Sequence, residues 1–140
     1  MSRIFWDTNL FIYLIEDHGD LSERVARLRK RMIERSDDLY TSALTLGEIL
    51  VKPIEAGDEV LCRRYEAALR QGATIVALDV EAARLYAGIR KDRTIRPPDA
   101  IQLACAAQAR VDLFITNDER LSMKSIPRIQ FVSSLQHAFL

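Results

Sequence analysis

Short apolar runs that stop abruptly at polar residues alternate along this chain with stretches of helical spacing, and that alternation most limits its fold. Arg3-Ile4-Phe5-Trp6 reads as a buried strand emptying into Asp7-Thr8-Asn9, and Leu10–Ile15 reads as the helix that follows. Ser22 is placed to cap a second helix, in which Val25, Leu28 and Met32 recur at helical spacing. Leu39-Tyr40-Thr41 reads as a second strand and Ala43–Val51 as a helix that Pro53 ends; Gly57-Asp58 opens another reaching Arg70. Gly72 breaks that helix, and Thr74-Ile75-Val76-Ala77-Leu78 is the clearest strand pattern in the chain. Asp79 caps a helix toward Lys91, Pro97-Pro98 lead into the alanine-rich helix Asp99–Ala109, and Val111–Thr116 and Ile129–Val132 are the last two strands.

Strands that alternate with helices predict an α/β fold, a parallel sheet of about five strands with helices on both faces. The helix Asp99–Ala109 has so little polar surface that it belongs at the centre, against the sheet. No repeat, low-complexity segment or linker interrupts the pattern, so residues 1–140 are expected to form a single domain. In such folds ligands bind beyond the carboxyl ends of the strands.

Four acids fall where that end is predicted. Asp7 closes the first strand, Glu48 lies in Thr45-Leu46-Gly47-Glu48, Asp99 follows Pro97-Pro98, and Asp118 follows Ile115-Thr116-Asn117. Each has a structural alternative. Asp7 and Asp118 are suited to cap the helices after them, Glu48 completes a capping-box pattern with Thr45, and Asp99 suits a helix first turn electrostatically. Together, carboxylates drawn to one place would repel one another and raise each other's pKa unless a divalent cation relieved the repulsion. A hard cation such as Mg²⁺ or Mn²⁺, held by carboxylates and water, is the usual equipment for hydrolysing phosphodiesters. The pattern therefore points to a metal-dependent nuclease. Asp7 and Asp99 are the expected direct ligands, with Asp118 as a third ligand or through water. Glu48 is expected to hold or deprotonate a metal-bound water, and Asn9 and Thr116 to orient the acids.

Bulk composition neither supplies nor forbids this chemistry. The 20 Lys and Arg balance the 20 Asp and Glu, so any contact with nucleic acid must rest on local clusters. Cys62 and Cys105 form no CxxC pair and read as reduced thiols of a cytosolic protein. The apolar stretch Ile4–Ile15 is interrupted at Asp7-Thr8-Asn9, resembling neither a signal peptide nor a membrane span; a cytoplasmic protein without membrane contact is expected. Neither His18 nor His137 has a partner at metal-ligand spacing.

Asp7-Thr8-Asn9, Thr45-Leu46-Gly47-Glu48, Pro98-Asp99-Ala100-Ile101-Gln102-Leu103-Ala104 and Thr116-Asn117-Asp118, in this order, resemble the PIN-domain nucleases, in particular VapC-type toxins of toxin–antitoxin pairs. The resemblance spans nearly the whole chain. It implies a PIN-like three-layer α/β/α sandwich around a parallel sheet, and Mg²⁺- or Mn²⁺-dependent endoribonuclease activity on an RNA substrate. A cognate antitoxin that blocks the site and a homodimer are implied as well. The family's four acids carry over to Asp7, Glu48, Asp99 and Asp118, with Thr116 in support. Trp6 departs from the pattern, being bulkier than the small or aliphatic residue expected before the first acid.

Two basic clusters stand out. Arg24, Arg27, Arg29, Lys30, Arg31 and Arg35 read as the solvated face of the second helix, whereas Arg90, Lys91, Arg93 and Arg96 lead into Asp99 and suit RNA phosphates. Other classes fit less well. A receiver domain needs an acidic pair after its first strand, where only Asp7 stands. A haloacid-dehalogenase-type phosphatase needs a second Asp at position 9, which is Asn9. A housekeeping RNA-processing nuclease and a non-catalytic RNA-binding module on the same fold remain alternatives.

Overall fold

The computed structural model describes residues 1–138; the last two positions of the 1–140 span lie outside it. Within the described residues, β1 (Arg3–Trp6), β2 (Asp38–Ser42), β3 (Thr74–Val76), β4 (Leu113–Thr116) and β5 (Phe131–Ser134) form one sheet. Their order is β3-β2-β1-β4-β5 and every pairing is parallel. The connecting helices are α1 (Thr8–Ile15), α2 (Asp20–Arg35), α3 (Ala43–Glu55), α4 (Glu59–Gly72), α5 (Val80–Ile89), α6 (Pro97–Gln108) and the single turn α7 (Glu119–Ser122).

Alternation along the central strands divides the interior in two. On β1, Ile4 and Trp6 face the side packed by α1, α2, α3 and α4, with Leu10, Val25, Met32 and Ile49 beneath them. Phe5 faces the other side, stacked on Phe114 with centroids 5.1 Å apart, over Leu103, Ala104 and Ile89 of α6 and α5. The result is helices, sheet, helices. Six consecutive buried residues, Gln102 to Ala107, make α6 the central helix that its composition predicts. Trp6 is fully buried and tilted against Phe11 at 5.2 Å, so the strand accommodates its bulk, although its indole Nε1 has no hydrogen-bond partner.

Several boundaries differ from the sequence expectation for local reasons. Ser22 lies in the first turn of α2, whose cap is Gly19 at φ 64°; the Ser22 hydroxyl binds the preceding loop, accepting from the His18 N–H and donating to the Glu16 carbonyl. Pro53 does not end α3. It sits buried in the last turn, where its missing N–H forfeits one bond and the helix continues to Glu55. The strand pattern Thr74–Leu78 shortens to Thr74–Val76, because Ser42, the partner of Val76, already caps α3 and leaves Ala77 and Leu78 nothing to pair with. The fifth strand begins at Phe131, after Arg128 at φ 72° turns the chain; Ile129 instead packs into the core. β4 likewise starts at Leu113, after Arg110 at φ 53°.

Candidate active site

β1 and β2 each pass into a helix with almost no loop, and that economy builds the site. Asp7 follows Trp6 and caps α1, accepting the Thr8 N–H at 2.7 Å on Oδ1. Ser42 ends β2 and caps α3. Helices that leave the same edge of the sheet present their positive amino-terminal ends there, a favourable setting for negative charge. Asp7, Thr8, Asn9, Glu48, Arg96, Pro98, Asp99 and Gln102 line one cleft at that edge.

Asp7 is the deepest of the acids, 9% exposed. Thr116, at the end of β4, donates to its Oδ2 at 2.9 Å and accepts the Asp118 N–H at 3.1 Å, tying the β4–α7 turn to the first acid. Burial pushes the Asp7 carboxyl up to about 6; the hydrogen bonds from Thr116 and Thr8 oppose this, and the charges of Asp99 and Glu48 add to it. Asp99, in the first turn of α6, is also raised, chiefly by burial, with the Arg96 guanidinium opposing and the Asp118 charge reinforcing. Asp118 caps α7, accepting from the Arg120 and Leu121 N–H groups. Arg96 spans the two outer acids, 3.6 Å from Asp99 and 4.0 Å from Asp118.

Glu48 does not belong to a capping box. Thr45 is inside α3, Ser42 is the cap, and the Glu48 Oε1 instead accepts the Thr8 hydroxyl proton at 2.6 Å across the gap between α3 and α1. Its carboxylate is thereby anchored toward the cleft, whereas a box would turn it to its own backbone. Asn9 stands exposed among the cleft residues, and its side chain makes no hydrogen bond among the described residues. Of the second basic cluster, Arg96 reaches the acids, while Arg90 is half-buried and donates to the Ile95 carbonyl; Lys91 and Arg93 are exposed. In the first cluster Arg35 pairs with Asp37, Arg31 with Glu34, and Arg29 reaches the Gly72 carbonyl. Thr8, Thr45 and Gln102 are buried polar residues of the site whose contacts with one another the sequence patterns do not convey.

The donor set suits a hard cation. Three carboxylates share one cleft, two of them with raised pKa, and a guanidinium already bridges Asp99 to the fourth. Among the described residues no three acidic, histidine or cysteine side chains stand close enough to enclose an ion unaided. Mg²⁺ commonly takes only one or two carboxylates and keeps several waters, so its requirement is looser than an all-protein cage. No described helix is long and apolar enough to cross a membrane.

The PIN domain family model matches residues 4–127. Comparison with curated protein sequences finds no match. Among solved structures, the chain is similar to VapBC2 from Rickettsia felis bound to a DNA fragment from their promoter, with TM-score 0.69 and 15% identity over 94% of this chain and 98% of that one. VapBC-1 from nontypeable Haemophilus influenzae superposes with TM-score 0.69 and 16% identity, covering 96% and 98%. DNA-bound VapBC from Salmonella typhimurium gives TM-score 0.64 and 21% identity, covering 96% and 99%.

Proposed function

The chain belongs to the PIN domain family, and we propose on that footing that it is a divalent-metal-dependent endoribonuclease, the toxin of a toxin–antitoxin pair. The observation that carries the reading is Asp7: a carboxyl buried at the end of β1, faced by the charges of Asp99 and Glu48, with no cation of this chain paired to it among the described residues. Asp7 and Asp99 would hold Mg²⁺ or Mn²⁺, with Asp118 as a third ligand or through water. When bound, the ion would supply Lewis acidity toward a phosphodiester and neutralise charge developing on its oxygens.

The chain's own groups divide the remaining work. Thr8 N–H and Thr116 Oγ1 fix one oxygen of Asp7 each and favour its ionised form. Glu48 takes the proton of the attacking water, its carboxylate held by Thr8. Arg96, exposed beside Asp99 and Asp118, offers a guanidinium to an RNA phosphate, with Lys91 and Arg93 on the same approach. The VapBC complexes on which this fold superposes support a cognate antitoxin as partner. A homodimer in the cytoplasm completes the reading.

Expression of the chain alone, with mapping of new RNA ends, tests the proposal. Growth arrest accompanied by RNA cleavage is expected, and Asp99→Ala should abolish both. Equal arrest by the two forms would refute a role for Asp99, and cleavage that persists in excess chelator would refute the dependence on metal.

A further inference from the structure

We propose that Gln102 is a positioning residue for Glu48, acting through Thr8 in a buried network that joins α6, α1 and α3. The inference rests on the reading of Glu48 as a site residue and adds how it is held. Gln102 is 2% exposed, on the face of α6 that meets β2 and α3. Its amide is locked at both ends. Ser42 Oγ donates to Oε1, while Nε2 donates to Thr8 Oγ1 at 2.8 Å and Thr45 Oγ1 at 2.9 Å. An amide flipped by half a turn would set its oxygen against Thr8 and Thr45, whose single protons go to Glu48 and to Thr8 and leave both hydroxyls only accepting toward Gln102.

The carboxylate end of the network decides where the hydroxyl protons go. Thr8 Oγ1 accepts from Gln102 and has one proton, which goes to the Glu48 carboxylate at 2.6 Å because an ionised carboxylate only accepts. Thr45, 3.0 Å from Thr8, must then be the donor of that pair, while the single hydroxyl proton of Thr41 is shared between Thr45 at 2.9 Å and the Trp6 carbonyl at 3.0 Å. Donation thus runs Thr45, Thr8, Glu48, with Gln102 feeding both threonines. Cooperative chains of this kind rigidify what they end on. Here the end is a side chain on an exposed stretch of α3, which has no other hydrogen bond among the described residues. A carboxylate free on its own rotamers would visit the cleft only part of the time.

The test compares Gln102→Met, Thr8→Val and Thr8→Ser with the unaltered chain, after their melting temperatures confirm folding. The Glu48 side-chain ¹³C carboxyl resonance, assigned by its loss in Glu48→Gln, is read without metal or substrate. It should shift or broaden in Gln102→Met and Thr8→Val and stay in place in Thr8→Ser. Mn²⁺-dependent RNA cleavage should fall about tenfold in kcat for each of the first two, with KM little changed, and the double variant should be no slower than Thr8→Val alone. Multiplication of the two losses to about a hundredfold would mean independent structural damage, and an unmoved Glu48 resonance would overturn the proposal. A resonance that moves while neither these variants nor Glu48→Gln alters cleavage would keep the positioning and refute the catalytic role assigned to Glu48.

Discussion

Two buried aspartates mark opposite ends of the sheet, and they are treated in opposite ways. Asp37, just before β2, has a fully buried carboxylate. It faces the amino terminus at 3.3 Å and Arg35 Nε at 3.2 Å, and it accepts the Ser2 N–H at 2.8 Å. Asp7, just after β1, is as deeply placed but is surrounded by hydrogen-bond donors and by other acids. A buried carboxylate with cations around it belongs to the fold. One left without them keeps its pKa high, the setting into which the proposed metal ion would fit. Conflict of this sort, tolerated at one end and resolved at the other, separates a site from a scaffold.

The largest expected contrast is catalytic. Asp7→Asn should lower metal-dependent RNA cleavage by about a hundredfold or more, in the range reported for loss of groups that act on the reacting centre. Asp37→Asn should leave kcat within about twofold at temperatures where both fold. Comparable losses in the two variants would erase the distinction.

Next in size is the pH dependence of stability without metal. The folded Asp7 titrates at about 6 against 3.8 for the free group, so between these values the folded state holds a proton the unfolded state has released. Stability must therefore fall as pH rises through that window and level off above it. Relative to Asp7→Asn the loss should approach about 2–3 kcal/mol from two pKa units, and it should vanish below pH 3.8. Chemical denaturation of both proteins at pH 3.5 and 7 measures it. A wild type that gains on the variant over this range would contradict the burial of an uncompensated acid.

Asp37→Ala should act in the other direction, destabilising by about 2 kcal/mol at neutral pH. The Ser2 N–H and Arg35 lose their acceptor, but both cations keep some access to water, which holds the loss below that of a fully enclosed pair. The smallest effect is expected at Thr116→Val, which removes one of the two donors on Asp7 and frees the Asp118 N–H. About a tenfold loss of cleavage with little change in KM is predicted, since neighbours of a metal ligand typically count for that much.

The three-layer order and the positions of the acids were legible because both follow from short-range signals. Apolar runs mark β1 and β4, and Asp7, Asp79 and Asp118 sit where a strand or loop must turn into a helix and need a cap. What local pattern could not convey is context across elements. Thr74–Leu78 reads as the strongest strand, yet its length is set by where β2 stops. Thr45 and Glu48 match a capping box whose geometry Ser42 pre-empts one turn earlier. Gln102 sits in a run of apolar residues, and its burial is made possible by Thr8 of α1, Thr45 of α3 and Ser42, the cap of α3, which supply its partners. No spacing within α6 could have announced that.

Calorimetric titration with Mn²⁺ at pH 7 puts the contrast between the two ends of the sheet to its most direct trial. The unaltered protein and Asp37→Asn should bind the ion alike, and Asp7→Asn and Asp99→Asn should lose at least tenfold in affinity. Equal binding by all four proteins, or none by the unaltered one at millimolar Mn²⁺, would contradict a metal site built on Asp7 and Asp99.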